Sequence, residues 1–256
     1  GRVDQVKGEH LPPALQHPKF KGKVYRLAEL VLDVPSLIAR LAELAGDSLL
    51  AAEQIEPLRE QQTLAGLRVD GREIRAQRIV LSAGGGNAEL LKQLGISQPT
   101  QQLRPLHMVL AKGPALKPLY AHCLGAGTKP RITVTTHPAA DGQWVWYMGG
   151  DLAEAEGVAR DEAAQIKAAQ KEIAGLLPWI DQTQTRWATL RVDRAEPAQS
   201  NHARPDNAFL ADQGRLLVGW PTKLALAPDL SDRICAALQR DGIQPSQHAA
   251  LPPLKR

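Results

Sequence analysis

The chain has 256 residues, 43% of them hydrophobic, enough apolar material to bury one large core or two modest ones. Its 31 basic and 27 acidic residues are scattered and leave a net charge of +4, with no block of like charge to track a phosphate backbone, which excludes nucleic acid as a partner. No apolar run reaches the roughly 18 to 20 residues that span a bilayer, and "GRVDQVKGEH" holds no signal-peptide core, so a soluble, cytoplasmic protein is expected. The opening through "GEHLPPALQHPKFKG" is polar and proline-containing, begins without methionine, and reads as a connecting segment over 1–23 of a fragment. "VYRLAELVLD" has strand-like content. In "DVPSLIARLAELAG", Asp33 can cap, Pro35 suits the first turn, Leu37, Leu41 and Leu44 recur near helical spacing, and Gly46 stops the pattern. A helix of about 10 to 12 residues follows from this. Three strands come next, in "SLLAAEQIEPL", "LAGLRVDG" and "EIRAQRIVLSAG", and the nearly continuous apolar run "RIVLSA" is expected to be covered on both faces. It breaks on Gly84, Gly85 and Gly86 and resumes as a helix, "NAELLKQLG", with Asn87 as cap.

From about Leu103 the character changes. "LRPLHMVLAKG", "RITVTTHP", "QWVWYMGGD" and "TRWATLRVD" read as strands rich in β-branched and aromatic residues. An Ala-rich helix, "VARDEAAQIKAAQKEIAGLLPW", lies between the last two and ends before Pro178. A mostly antiparallel sheet flanked by helix is the expectation. After the loop "AEPAQSNHARPDNAF", the stretch "GRLLVGWPTKLALAPDLSDRICAALQRDG" returns to buried strand, turn and helix, closed by Gly242. One domain in two pieces with another inserted between them accounts for this order. Cys123 and Cys235 stand apart from any CxxC or His/Cys cluster, which argues against a metal site and a disulfide framework.

In order and spacing, "LVLDVPSLIARLAELAG", "IRAQRIVLSAGGGNAELLKQLG", "WYMGGDLAEAEGV", "RWATLRVDRAEP" and "GRLLVGWPTKLALAPDLSDRI" resemble the latter two-thirds of flavin-dependent oxidoreductases of the D-amino-acid oxidase and glycerol-3-phosphate dehydrogenase superfamily. The resemblance covers about Val24 to Leu238. It implies an α+β chain, the remnant of an α/β fold: an incomplete FAD-binding domain over 24–100 and 205–242, and an inserted substrate domain over 101–204. One departure stands out. No GxGxxG is present, and "GGGN" has neither that spacing nor an acidic-ended βαβ unit after it. The resemblance therefore assigns FAD to a longer parent protein, and this chain is expected to be inactive alone.

The resemblance passes the cofactor beside Ala83, Gly84 and Gly85, which by themselves read equally as turn-makers. It sets the Ile55 backbone against the adenine, a position otherwise read as an ordinary core isoleucine. It brings the bend "GWPTKLALAP" to the flavin. There Gly219 would permit close approach, the amides of Thr222, Lys223 and Leu224 would face forward at a helix start, and Lys223 would favour the reduced, negatively charged flavin. A capped surface helix with a solvated lysine is the other reading of that bend. Arg191 matches the arginine that grips a substrate carboxylate, although Val192 stands where proline is frequent; an ordinary ion pair is its other reading. Tyr147 could direct its hydroxyl to the substrate or serve the core. Arg104 and His107 are weaker candidates, and His107 is not expected to act as a base. The implied activity is hydride transfer to FAD from a small anionic amine or hydroxyl compound, with Arg191, Tyr147 and Lys223 closest to the chemistry. The alternative is a non-catalytic binding or scaffold module derived from such an enzyme.

Overall fold

The computed structural model describes residues 4–61, 63–125, 127, 129–199 and 207–244. In chain order the first elements are β1 (Asp4–Val6), β2 (Val24–Arg26), α1 (Val34–Ala45), β3 (Ile55–Glu60), β4 (Thr63–Val69), β5 (Arg72–Arg75), β6 (Ile79–Leu81) and α2 (Asn87–Gln93). There follow β7 (Gln101–Lys112), β8 (Ala121–Leu124), β9 (Pro130–Pro138), β10 (Trp144–Gly149), α3 (Glu156–Ala159), α4 (Glu162–Leu176) and β11 (Arg186–Pro197). The chain then adds β12 (Phe209–Gln213), β13 (Leu216–Trp220) and α5 (Ala227–Arg240). The fold is mixed α/β with antiparallel sheets. It divides into two compact units, Gly1–Leu32 with Pro105–Asp193 and Asp33–Arg104 with Arg194–Arg256. Within the late loop, residues 200–206 lie outside the described residues.

The first unit is built on a five-stranded sheet in the order β11-β7-β10-β9-β8. Strand alternation sends Trp146 and Met148 of β10, Ile132 and Val134 of β9, and Val109 and Ala111 of β7 to one face. There they share a buried cluster with Ala169 and Ile173 of α4. Trp146 is fully buried, and its indole N–H is satisfied by the Lys117 carbonyl at 2.8 Å. The helix expected to run unbroken from Val158 is interrupted at Arg160, which is extended, because the Asp161 side chain caps a new start by accepting from the Ala164 amide at 2.8 Å.

Part of the N-terminal stretch packs on the first unit. β1 pairs with β2 antiparallel, Ala14 and Leu15 enter the core, and the Trp179 indole donates to the Ala14 carbonyl at 2.9 Å while its ring stacks on His17 at 5.0 Å. The strand expected over 24–33 stops at Arg26, and Leu30 is 88% exposed.

The second unit holds two sheets, β3-β4-β5 and β12-β13-β6. Asp70 and Gly71, both at positive φ, form the two-residue hairpin between β4 and β5. Asp70 Oδ1 also accepts from the amides of Glu53 and Gln54. "EIRAQRIVLSAG" is not one strand: it divides into β5 and β6, which belong to different sheets. β6 pairs parallel with β13, Leu216 opposite Ile79 and Val218 opposite Leu81. It is covered on one face, with Ile79 and Leu81 buried but Val80 exposed, unlike the doubly covered strand expected.

Helix α1 has the expected bounds: the Asp33 carboxylate accepts from the Ser36 amide and Gly46 sits at φ +50 beyond the last turn. Local signals set it, not burial, since none of its residues is buried. α5 ends in the double hydrogen bond that a left-handed glycine allows, Gly242 N–H to the Gln239 carbonyl and Ile243 N–H to the Leu238 carbonyl. Arg78 ties this end of the unit together through Asp212 Oδ1 at 2.7 Å, the Asp241 carboxylate and the Gly214 carbonyl. Among the described residues no helix is long and apolar enough to cross a membrane.

Candidate functional site

Because β6 and β13 run parallel, their carboxyl ends meet at one end of the sheet, each followed by a turn and a helix. Ligands in open parallel sheets characteristically bind beyond such ends. The triple-glycine corner and the bend after Trp220 are therefore neighbours, two hydrogen bonds join them, and a third anchors the joining side chain to the first corner. The Trp220 indole donates to the Gly84 carbonyl at 3.1 Å. Asn87 Nδ2 donates to the Gly219 carbonyl at 3.1 Å, while Asn87 Oδ1 accepts from the Ala83 amide at 2.8 Å. Trp220 is 1% exposed and Asn87 0%.

Asn87 does not cap α2 as the sequence suggested. Gly86 holds the cap position, and Asn87 is already helical, its amide turned inward as a bridge. The glycines themselves form one 3₁₀ turn. Gly84 is at φ +57, and a Cβ there would meet nothing within 4 Å, so the corner faces open space. Among the described residues the amides of Gly84 and Gly85 meet no acceptor. Ala83 and Gly85 are exposed beside them.

The late bend departs from expectation in two respects. The Cβ direction of Gly219 is taken up by its own unit: a Cβ there would lie 2.7 Å from Leu230 Cδ1, so a side chain would make Leu230 shift where α5 closes on β13. The amides of Thr222, Lys223 and Leu224 do not start the helix. α5 begins at Ala227 after a 3₁₀ turn over Leu224–Leu226, and the Lys223 amide is spent on the Pro221 carbonyl at 2.7 Å. This makes a γ-turn with Thr222 at its centre, at φ +60, an uncommon conformation for a β-branched residue. Its hydroxyl donates to the Asn207 carbonyl at 3.1 Å. Ile55 opens β3 opposite Val69 in the other sheet, outside the apolar cluster that joins the two corners.

In the first unit, Tyr147 stands between Leu110 and Thr135 on the sheet face opposite Trp146. Its ring meets His137 edge-on at 6.3 Å, and partial burial raises the phenol above its ordinary pKa. Arg191 lies on the other face. It is two alternations from Trp187, which packs on the helix-covered core, and its Nη1 and Nη2 donate to the carbonyls of Val158 and Arg160 at 2.9 and 2.7 Å. The structure thus brings the two corners together and keeps Arg191 and Tyr147 apart. Arg104 Nε lies 2.6 Å from Glu196 Oε1 in the second unit, an ion-pair distance without hydrogen-bond alignment. His107 is buried, with Nδ1 3.0 Å from the Gly157 carbonyl and its own carbonyl accepting from Gln165, a structural placement. Among the described residues no cluster of potential metal ligands exists.

No family model matches the chain. Over 255 residues, 100% of this chain, it is 74% identical to a probable FAD-dependent oxidoreductase of Pseudomonas aeruginosa, and it spans 65% of that relative's length. A crystal structure of the FAD-dependent oxidoreductase from Pseudomonas aeruginosa superposes with a TM-score of 0.94 at 74% identity, over 99% of this chain and 70% of that one. The chain belongs to the FAD-dependent oxidoreductases. Its fold is shared with the L-amino acid deaminase of Proteus myxofaciens, at a TM-score of 0.57 and 13% identity over 96% of this chain and 66% of that one. The Proteus vulgaris L-amino acid deaminase aligns with a TM-score of 0.54 at 12% identity, over 96% and 61% of the two chains. The residues present suit a group rich in acceptor oxygens at the glycine corner, where the amides of Gly84 and Gly85 meet no acceptor among the described residues and a Cβ on Gly84 would meet nothing within 4 Å.

Proposed function

We propose that the second unit supplies one wall of an FAD site, the carboxyl ends of β6 and β13, and that the first unit carries the substrate of the same oxidoreductase. The observation that carries this reading is the union of the triple-glycine corner and the late bend through Asn87 and Trp220. In this reading 24–100 and 205–242 belong to an incomplete FAD-binding domain and 101–204 to an inserted substrate domain. The Gly84 and Gly85 amides would donate to cofactor oxygens, Ala83 would lie alongside, and Ile55 would approach the adenine. Lys223, half-buried beside the Thr222 turn, would place a positive charge at the second corner, with the backbone of Thr222 and Leu224 fixed next to it.

Bound FAD would supply the acceptor for a hydride leaving a C–H that bears an amine or hydroxyl. The chain's own contribution is to hold and orient. Tyr147 lies on the sheet face away from the helices and so apart from Arg191; there its phenol, its pKa raised further by partial burial, would serve as a hydrogen-bond donor. Arg191 would order the end of α3 through two carbonyls, with its remaining N–H groups available to an anion from the helix-covered side.

Replacing the counterpart stretch of the Pseudomonas aeruginosa relative with this chain tests the reading. The chimera should purify with FAD and lose its visible flavin band anaerobically with small amino or hydroxy acids that also reduce the parent relative. A folded chimera that carries no flavin would overturn it.

A further inference from the structure

We propose that Asn87 is a positioning residue that sets the separation of the two corners, a role that rests on the cofactor reading only for its consequence and not for its geometry. The side chain is 0% exposed, and both ends are committed to backbone groups far apart in sequence, the Ala83 amide and the Gly219 carbonyl. Both lie past the parallel ladder: Ala83 is beyond the end of β6, and the β13–β6 pairing stops at Val218 and Leu81, one residue before Gly219, which pairs with Leu210 of β12 on the other side of its strand. Asn87 thus takes over where the parallel ladder ends. A carboxamide is the side chain that can accept from one backbone and donate to the other at the same time. Its neighbour in this task is the Trp220 indole, which reaches back to the Gly84 carbonyl and crosses the same gap in the opposite direction.

The two links have different consequences. With Oδ1 holding the Ala83 amide, the start of the turn over Gly84–Gly86 is fixed to the first residue of α2. With Nδ2 holding the Gly219 carbonyl, the end of β13 stays in line with β6, so the bend at Pro221 to Lys223 keeps its distance from that turn. Losing only the second link should let the corners part while each remains formed.

Hydrogen exchange on the full chain separates these roles, with Asn87→Asp keeping the acceptor and losing the donor, and Asn87→Leu losing both. In Asn87→Asp the Trp220 indole proton should exchange at least ten-fold faster, with the Ala83 amide still protected. In Asn87→Leu both should be fast, and each should accelerate at least ten-fold more than Val218 and Leu67 in the ladders, because the opening is local and adds to any general loss of stability. Uniform acceleration across the unit, or an unchanged Trp220 indole in Asn87→Asp, would overturn the proposal. FAD fluorescence quenching gives the consequence: Asn87→Asp should bind FAD at least ten-fold more weakly than wild type. Equal affinity would overturn the positioning role, whereas a wild type with no affinity would sink the cofactor reading and leave the exchange result to decide the coupling.

Discussion

At Gly84 a Cβ would meet nothing within 4 Å, whereas at Gly219 it would come within 2.7 Å of Leu230 Cδ1. Both glycines sit at the carboxyl ends of neighbouring parallel strands, in the same strand-turn-helix arrangement. The first leaves space outside the fold, and the second is consumed by the fold itself. A glycine at a corner of this kind therefore marks a close approach without saying what approaches. The late bend obtains its shape from a helix packed on a strand and a strained threonine, the early one from the backbone freedom of Gly84 together with the hydrogen bonds that Asn87 and Trp220 make to it.

Substitutions at the corners sharpen this contrast. Asn87→Leu should have the largest effect, about 2–4 kcal/mol lost in urea unfolding, because it strands a buried donor and a buried acceptor. Gly219→Ala should follow at about 1–3 kcal/mol, since Leu230 must shift within the core. Gly84→Ala should cost about 1–2 kcal/mol from the left-handed backbone, with no clash. Gly85→Ala should stay within about 0.5 kcal/mol of wild type, its Cβ in ordinary contact with Ala195 at 3.9 Å, yet should weaken FAD binding by shielding the open amides. A Gly219→Ala chain as stable as wild type would erase the distinction between the corners. The smallest effect concerns Asp212, whose carboxyl is held below its ordinary pKa chiefly by the hydrogen bond from Arg78. A depressed folded pKa contributes stability above the unfolded value and loses it as pH falls through the folded one. Asp212→Asn should thus lower the melting temperature slightly at pH 7, and the gap should close below about pH 4.

Much of this architecture was legible before any coordinates. Alternation in "WVWYMGG" and "RITVTTHP" reports strands because one face is buried, and Asp33, Pro35 and Gly46 report α1 because caps act locally. The burial of Ala14 and Leu15 was not legible locally, because the side chain that receives this segment is Trp179, over 150 residues away. Asn87 looked like a cap for the same reason: the carbonyl that recruits it is at Gly219. The separation of Arg191 from Tyr147 was readable in principle. Trp187 and Arg191 share strand parity, and Trp146 and Tyr147 do not, so two core tryptophans put the two candidates on opposite faces.

The account stands most directly on where FAD touches the chain. An isotope-labelled chain titrated with FAD to millimolar concentration, a range suited to one wall of a site, reads this residue by residue. The largest shifts should fall on the amides of Gly84 and Gly85, the Trp220 indole and the backbone from Pro221 to Leu224. Shifts confined to the groove between α2 and Gln101, lined by Lys92, Ile96 and Pro99, or no shifts at all, would contradict it.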